Sequence, residues 1–342
     1  MKDIIAVTNL KKTYKVLQRR DGLIGTFKDL ISRNYNSVDV VDNINFNVKR
    51  GEIVGFLGPN GAGKSTTIKM LTGVLKPTDG ICRVNDFDPF KDRKKYVKEI
   101  GVVMGQRTQL WWDLPVIESY KLLKVIYDIS DEVYHGNLKI FEELLGLKEL
   151  YYKPVRNLSL GQRMLCDIAA SLLHDPKIIF LDEPTIGLDV SIKYRIRELI
   201  KKMNQVRNTT IILTSHDIGD IESLAERIVL INKGKLFFDG KSDEFCKTFS
   251  NTKNIEFSIG DTDDSTEKEL NEILIRLNRK NGKIPKLATD NGQDYTCAVN
   301  TEEYEISELV EALIKRFTIR DINIGAVSLE VILKQVYERE SL

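Results

Sequence analysis

EIVGFLGPNGAGKSTTIKMLTGVL, residues 52–75, joins a short apolar strand to a helix through a turn rich in glycine. Gly58, Gly61 and Gly63 let backbone N–H groups turn inward around an anion, and the start of the following helix adds a favourable dipole. Lys64 brings a cation to the same place, and the Ser65 hydroxyl offers a hard oxygen to a divalent cation. The run Gly58, Pro59, Asn60, Gly61, Ala62, Gly63, Lys64, Ser65 and Thr66 is therefore the expected cradle for the phosphates of a nucleotide. A strand–loop–helix of this kind places the chain among α/β proteins with a mainly parallel sheet.

Working outward, three more apolar strands end in polar residues. KIIFLDEP (177–184) ends in two carboxylates. Neighbours on an extended chain point to opposite sides, so Asp182 and Glu183 are expected to do different work. Asp182 suits a Mg²⁺ partner, and Glu183 suits a base for an attacking water. TTIILTSHD (209–217) ends in Ser215 and His216, and IGVVMGQRTQLWWD (100–113) carries Gln106 at its strand end. His216 is expected to contact the terminal phosphate, and Gln106 to ligand Mg²⁺ weakly. In parallel sheets ligands gather at the carboxyl ends of the strands, so Lys64, Glu183 and His216 should converge on one edge. Trp111 and Trp112 either pack internally or face a partner.

LSLGQRMLCDIAASLL (158–173) opens a further helix. Ser159 and Gln162 form a capping box, and Met164, Ile168, Ala169 and Leu172 recur at helical spacing. Gly161 in the first turn lets something come close to the backbone.

Composition sets outer bounds. The chain has 342 residues, 51 basic against 50 acidic, and 42% hydrophobic. That balance gives no global argument for nucleic acid, and none is expected as a partner. No apolar run reaches bilayer length, and the first residues, MKDIIAVTNLKK, lack the apolar segment of a signal peptide. Cys82, Cys166, Cys246 and Cys297 are scattered without a CxxC pair, so neither a disulfide framework nor a zinc site is expected. Residues 11–36 read as an insertion between strands, with its core at about 15–36. Leu23, Ile24, Phe27, Leu30 and Ile31 fall at helical spacing among basic residues, as a solvated face or as a docking element. After Gly240 the texture changes to a β-α-β-β-α-β order with a final helix, the pattern of a small ferredoxin-like domain.

GPNGAGKST, a glutamine after a strand, LSLGQ, IIFLDEP, TIGLD and TSHD occur in that order. Together they resemble the nucleotide-binding subunit of ATP-binding cassette (ABC) transporters, over roughly residues 4–240. The resemblance implies a P-loop ATPase domain over 1–240, with an antiparallel β subdomain and a helical subdomain, and a C-terminal α+β accessory domain over 241–342. It implies ATP and Mg²⁺, with Ser65, Gln106 and Asp182 at the metal and Lys64, Glu183 and His216 in catalysis. LSLGQ stands where the family has its signature motif, usually LSGGQ. Ser159, Gly161 and Gln162 of one subunit would then face ATP held on the Gly58–Thr66 loop of a second, head-to-tail subunit. Gly187, Leu188 and Asp189 would run across that interface.

Leu160 departs from the family pattern and must accept ordinary helical angles. Family members stack adenine on an aromatic residue near the first strand; Tyr14 and Tyr35 are both candidates, and Tyr14 has the usual strand context. The stretch after Gln106 and the C-terminal tail resemble cassettes of ABC-2 type systems, often exporters. Separate membrane-embedded permease subunits, a second cassette that is identical or a paralogue, and a place on the cytoplasmic face of the membrane complete the expectation.

Overall fold

A computed structural model describes residues 3–17, 35–105, 107–215, 217–249, 251–263, 265–280, 284–289, 292–327 and 329–340. The chain divides into two compact units, Met1–Lys241 and Ser242–Leu342.

The first unit is built on a six-stranded sheet. Its strands are β3 (Ile53–Leu57), β5 (Ile100–Met104), β6 (Ile178–Asp182), β7 (Thr210–Thr214), β8 (Arg227–Asn232) and β9 (Lys235–Lys241), in the spatial order β5-β6-β7-β3-β8-β9. All neighbours are parallel except the β8–β9 hairpin. The central strands are short runs of Ile, Val, Leu and Phe buried on both faces, as a sheet covered by helices requires. A second, antiparallel sheet of order β2-β1-β4 holds β1 (Asp3–Leu17), β2 (Tyr35–Lys49) and β4 (Asp79–Val84). Phe46 and Val48 from this sheet share one hydrophobic core with Val54, Phe56 and Ile68, so the loop between β3 and its helix is braced from two sides.

The β1–β2 pairing corrects the insertion boundaries. Residues 15–17 and 35–36 continue the two strands, with Lys15 opposite Ser37 and Leu17 opposite Tyr35. The helical spacing at Leu23–Ile31 lies outside the described residues. A helical group, Val116–Tyr127, Asp131–Leu145 and Leu160–Leu172, fills the span between β5 and β6.

The second unit has its own core around Ile255, Phe257, Leu270, Tyr295 and Leu313. Strands β10 (Thr252–Ile259), β11 (Leu287–Thr289), β12 (Asp294–Asn300) and β13 (Ile319–Ala326) lie in the order β11-β12-β10-β13, all antiparallel. Helices Thr266–Leu277 and Ile306–Arg316 make the two crossovers, which is the split β-α-β arrangement of ferredoxin-like folds. Helices Ser242–Phe249 and Leu329–Glu340 flank these elements in sequence. Cys82, Cys166 and Cys297 are buried, Cys246 is partly exposed, and none is in a disulfide. Among the described residues no helix is long and apolar enough to cross a membrane.

Candidate functional site

The loop after β3 has the backbone that its glycines allow. Gly58, Gly61 and Gly63 all have positive φ, at 151°, 79° and 107°. A Cβ at Gly58 would lie 2.2 Å from the Ile231 carbonyl, and one at Gly63 would lie 2.6 Å from that of Val40. Both positions are closed to any larger residue by backbone on the far side. The helix Lys64–Leu71 begins directly after Gly63, so its first N–H groups face the loop. Lys64 is 7% exposed, and its Nζ donates to the carbonyls of Gly58 at 2.6 Å and Pro59 at 3.1 Å. Burial pulls the ammonium below its usual range, and the nearby charges of Glu183 and Asp182 oppose that pull.

Asp182 ends β6 two strands from β3, and the strand between them supplies its partner. Thr214, the last residue of β7, donates its hydroxyl to Asp182 Oδ1 at 2.7 Å. The same hydroxyl accepts the Glu183 N–H at 3.0 Å. Ser65 Oγ lies 3.5 Å from the same Asp182 oxygen. Thr214 was not singled out in the sequence, where it reads as one more strand residue before Ser215. Its only signal is its position at the carboxyl end of a strand flanked by the two that bear the site.

Glu183 departs from the strand. Its φ is +56°, left-handed, a conformation costly for a non-glycine residue and one found at functional turns. The simple alternation expected for Asp182 and Glu183 therefore stops at Asp182. Glu183 lines a cleft of about 240 Å³ with Thr185, Ile186, Gly187, Lys193, Ser215 and Asp217. His216 and Gln106 lie outside the described residues.

The signature-type helix is capped as its sequence requires. Ser159 Oγ accepts the Gln162 N–H at 3.2 Å, and Gln162 Oε1 accepts the Ser159 N–H at 3.1 Å. Leu160 enters as the first helical residue with ordinary angles. Gly161 is buried, and a Cβ there would meet Ile192 Cδ1 at 2.2 Å. Within one chain, the close neighbour of this glycine is thus a side chain of the helix Val190–Arg207. Among the described residues no hydrogen bond joins Ser159, Gly161 or Gln162 to the Gly58–Thr66 loop.

The same helix holds the stretch after Gln106. Asp167 is 5% exposed and accepts from Thr108 Oγ1 at 2.9 Å and from the Gln109 N–H at 3.0 Å. Burial still pushes its carboxyl up to about 6, against the pull of those hydrogen bonds. Trp111 and Trp112 are 40% and 49% exposed rather than internal, and the Arg163 guanidinium stands 5.4 Å from the Trp112 ring.

Tyr14 and Tyr35 are both exposed, but they differ in reach. Val40 touches the loop, and Tyr14 pairs with Val38 in the adjacent strand. At about 3.3 Å per residue, Tyr14 stands about 7 Å along the ribbon from Val40, and Tyr35 about 17 Å.

A phosphate cradle, a strand-end carboxylate pair and a capped LSLGQ helix within one unit have close counterparts in known proteins. The ABC transporter family pattern matches residues 41–186. The bacitracin transport ATP-binding protein BcrA of Bacillus licheniformis is 35% identical over 281 residues, covering 77% of this chain and 89% of that protein. The chain belongs to the ABC transporter family. It is an ATP-binding and ATP-hydrolysing cassette. The linearmycin resistance ATP-binding protein LnrL of Bacillus subtilis is 31% identical over 233 residues, covering 67% of this chain and 73% of its own length. Among solved structures, a dimeric ATP-binding cassette in a post-hydrolysis state with ADP and Pi is 27% identical, with a TM-score of 0.57. That match covers 69% of this chain and 98% of the other.

Proposed function

We propose that this ABC cassette drives an ABC-2 type exporter, working as half of a head-to-tail ATPase dimer docked on membrane-embedded permease subunits at the cytoplasmic face. The observation that carries the catalytic part is Thr214, whose one hydroxyl ties Asp182 and the backbone of Glu183 together opposite Ser65.

The phosphates of ATP occupy the Gly58–Thr66 cradle, where the Lys64 donors now spent on loop carbonyls pass to phosphate oxygens. The donor set fits Mg²⁺: a hydroxyl and a carboxylate, both hard oxygen donors, converge there. Mg²⁺ is held by few protein ligands plus phosphate and water. Ser65 and Asp182, with Gln106, would hold it, and it would supply charge neutralisation at the phosphates. Glu183 takes the proton of the attacking water, and His216 steadies the terminal phosphate. Tyr14 is the residue that reaches adenine. Ser159, Gly161 and Gln162 close over the nucleotide of the opposite subunit, which fits their having no link to the loop of their own chain. ATP must bind the closed dimer better than the open one for the cycle to do work.

Export is supported by what the relatives are: one serves bacitracin transport and another linearmycin resistance. The exposed Trp111 and Trp112, just past Gln106, provide an aromatic surface where a permease helix would sit. The second unit is read as an accessory domain of the cassette.

Glu183→Gln should lower turnover by about 10² or more while leaving ATP bound and dimers accumulating, read by ATPase assay and size-exclusion chromatography. Normal turnover in that variant would remove the assignment of the base.

A further inference from the structure

Besides Asp167, a second carboxylate of the first unit is buried and surrounded by donors. Asp220, on the helix Ile218–Leu224, is 0% exposed. Its Oδ1 accepts from Arg197 Nε at 2.7 Å, and a second guanidinium nitrogen of Arg197 pairs with the same oxygen. Its Oδ2 accepts from Ser215 Oγ at 3.1 Å and from Thr185 Oγ1.

These partners come from three segments. Thr185 follows Pro184 and opens the turn that contains Gly187, Leu188 and Asp189. Ser215 stands immediately before His216 in the chain. Arg197 lies on the helix Val190–Arg207, which starts where that turn ends. A second ion pair, Lys193 with Asp217, runs between the same helix and the residue just after His216. Thr185 and Ser215 are themselves buried.

Stability alone gives little reason for this arrangement. An apolar group of the same size in place of a buried ion pair is often neutral or better, while the paired carboxylate fixes one geometry among its donors. What it fixes here is the turn that follows Glu183 against Ser215 and the helix Ile218–Leu224.

We infer that Asp220 is a positioning residue that locks the Thr185–Asp189 turn to the Ser215–Asp217 segment. The interface-crossing loop and the residues Ser215 and Asp217 then change conformation as one unit. Closure of the dimer on Gly187–Asp189 would thereby set the segment that holds His216. The inference rests on the proposed hydrolytic reading of Glu183 and His216 and adds to it a link inside each subunit.

The test is a double-mutant cycle on the full chain, with kcat and KM for ATP as readouts. Thr185→Val and Ser215→Ala each remove one hydroxyl and leave the Asp220–Arg197 pair in place. Each should lower kcat about tenfold with KM within about twofold. Because both break the same link, the double variant should also be slowed about tenfold rather than a hundredfold. Thr185→Ser, which keeps the hydroxyl, should return kcat to near the unsubstituted value. If Thr185→Val melts early, the same cycle between Ser215→Ala and Asp220→Asn takes its place. Multiplicative effects, a changed KM with kcat intact, or a Thr185→Ser variant as slow as Thr185→Val would each overturn the lock. Glu183→Gln run alongside separates the two readings. If it retains turnover, the hydrolytic assignment fails; if it is dead while the hydroxyl effects multiply, the lock alone fails.

Discussion

Asp167 shows at the scale of one residue how a helix that opens on a signature motif can hold a distant loop. Its carboxyl sits against Thr108 and Gln109, two and three positions past Gln106, and burial raises it to about 6. A carboxyl with a folded pKa above its unfolded value of about 3.9 is bound to its proton more tightly in the folded state. The fold therefore carries no penalty from it below about pH 4 and the whole penalty, about 3 kcal/mol, above about pH 6. Asp167→Asn cannot ionise, so the difference in melting temperature between this variant and the unsubstituted chain should rise in the variant's favour from pH 4 to 7. A difference that stays flat across that range would show that the carboxyl is not strained by burial. Asp167 drew no notice in the sequence because a lone acid on an apolar helix looks like a surface residue. Thr214 escaped for a related reason: its role depends on which two strands flank it, and strand neighbours are not written locally. Asp182, Glu183 and the Gly58–Thr66 loop stand out in the sequence because their polar and glycine residues are concentrated in short runs.

Elements were more legible than their meetings. The strand–loop–helix at 52–75, the strands ending at Asp182 and Thr214 and the capping box at Ser159 all follow from periodicity and local hydrogen bonding. Periodicity failed at the ends of the β1–β2 ribbon, where exposed residues such as Val16 and Val38 give no alternating burial to read. Gly161 carries both levels. The sequence says that something approaches, and the structure supplies Ile192 from the helix Val190–Arg207. Two demands on one glycine can be separated by compensating only the first. Gly161→Ala should cost about 1–3 kcal/mol through overpacking. Adding Ile192→Val removes the Cδ1 methyl and should restore the melting temperature. ATPase activity should stay low in the double variant, since a partner's phosphate would still meet the added methyl. Recovery of activity together with stability would mean that the glycine serves internal packing alone.

For the molecule as a whole, the two units each close around a core of their own. Strand order was not visible. β3 lies between β7 and β8, and β10 between β12 and β13, through pairings that span dozens of residues and leave no local trace. In the head-to-tail dimer proposed above, the nucleotide site would be only half legible in any single chain, because among the described residues LSLGQ and the Gly58–Thr66 loop share no hydrogen bond. The cysteines, by contrast, divide along the chain in a useful way. Burial pushes the thiols of Cys82 and Cys166 up to about 12 and that of Cys297 to about 11, which leaves almost no thiolate near neutrality. Cys246 alone is partly open to solvent. A maleimide dye should consequently attach at about one equivalent to the native chain, on Cys246, and at about four after denaturation. More than one rapid equivalent would mean that a buried thiol is reached by local opening. The chain thus carries its own attachment point for a fluorescent dye on the C-terminal unit, with no cysteine needing to be removed before that unit is watched through a round of ATP turnover.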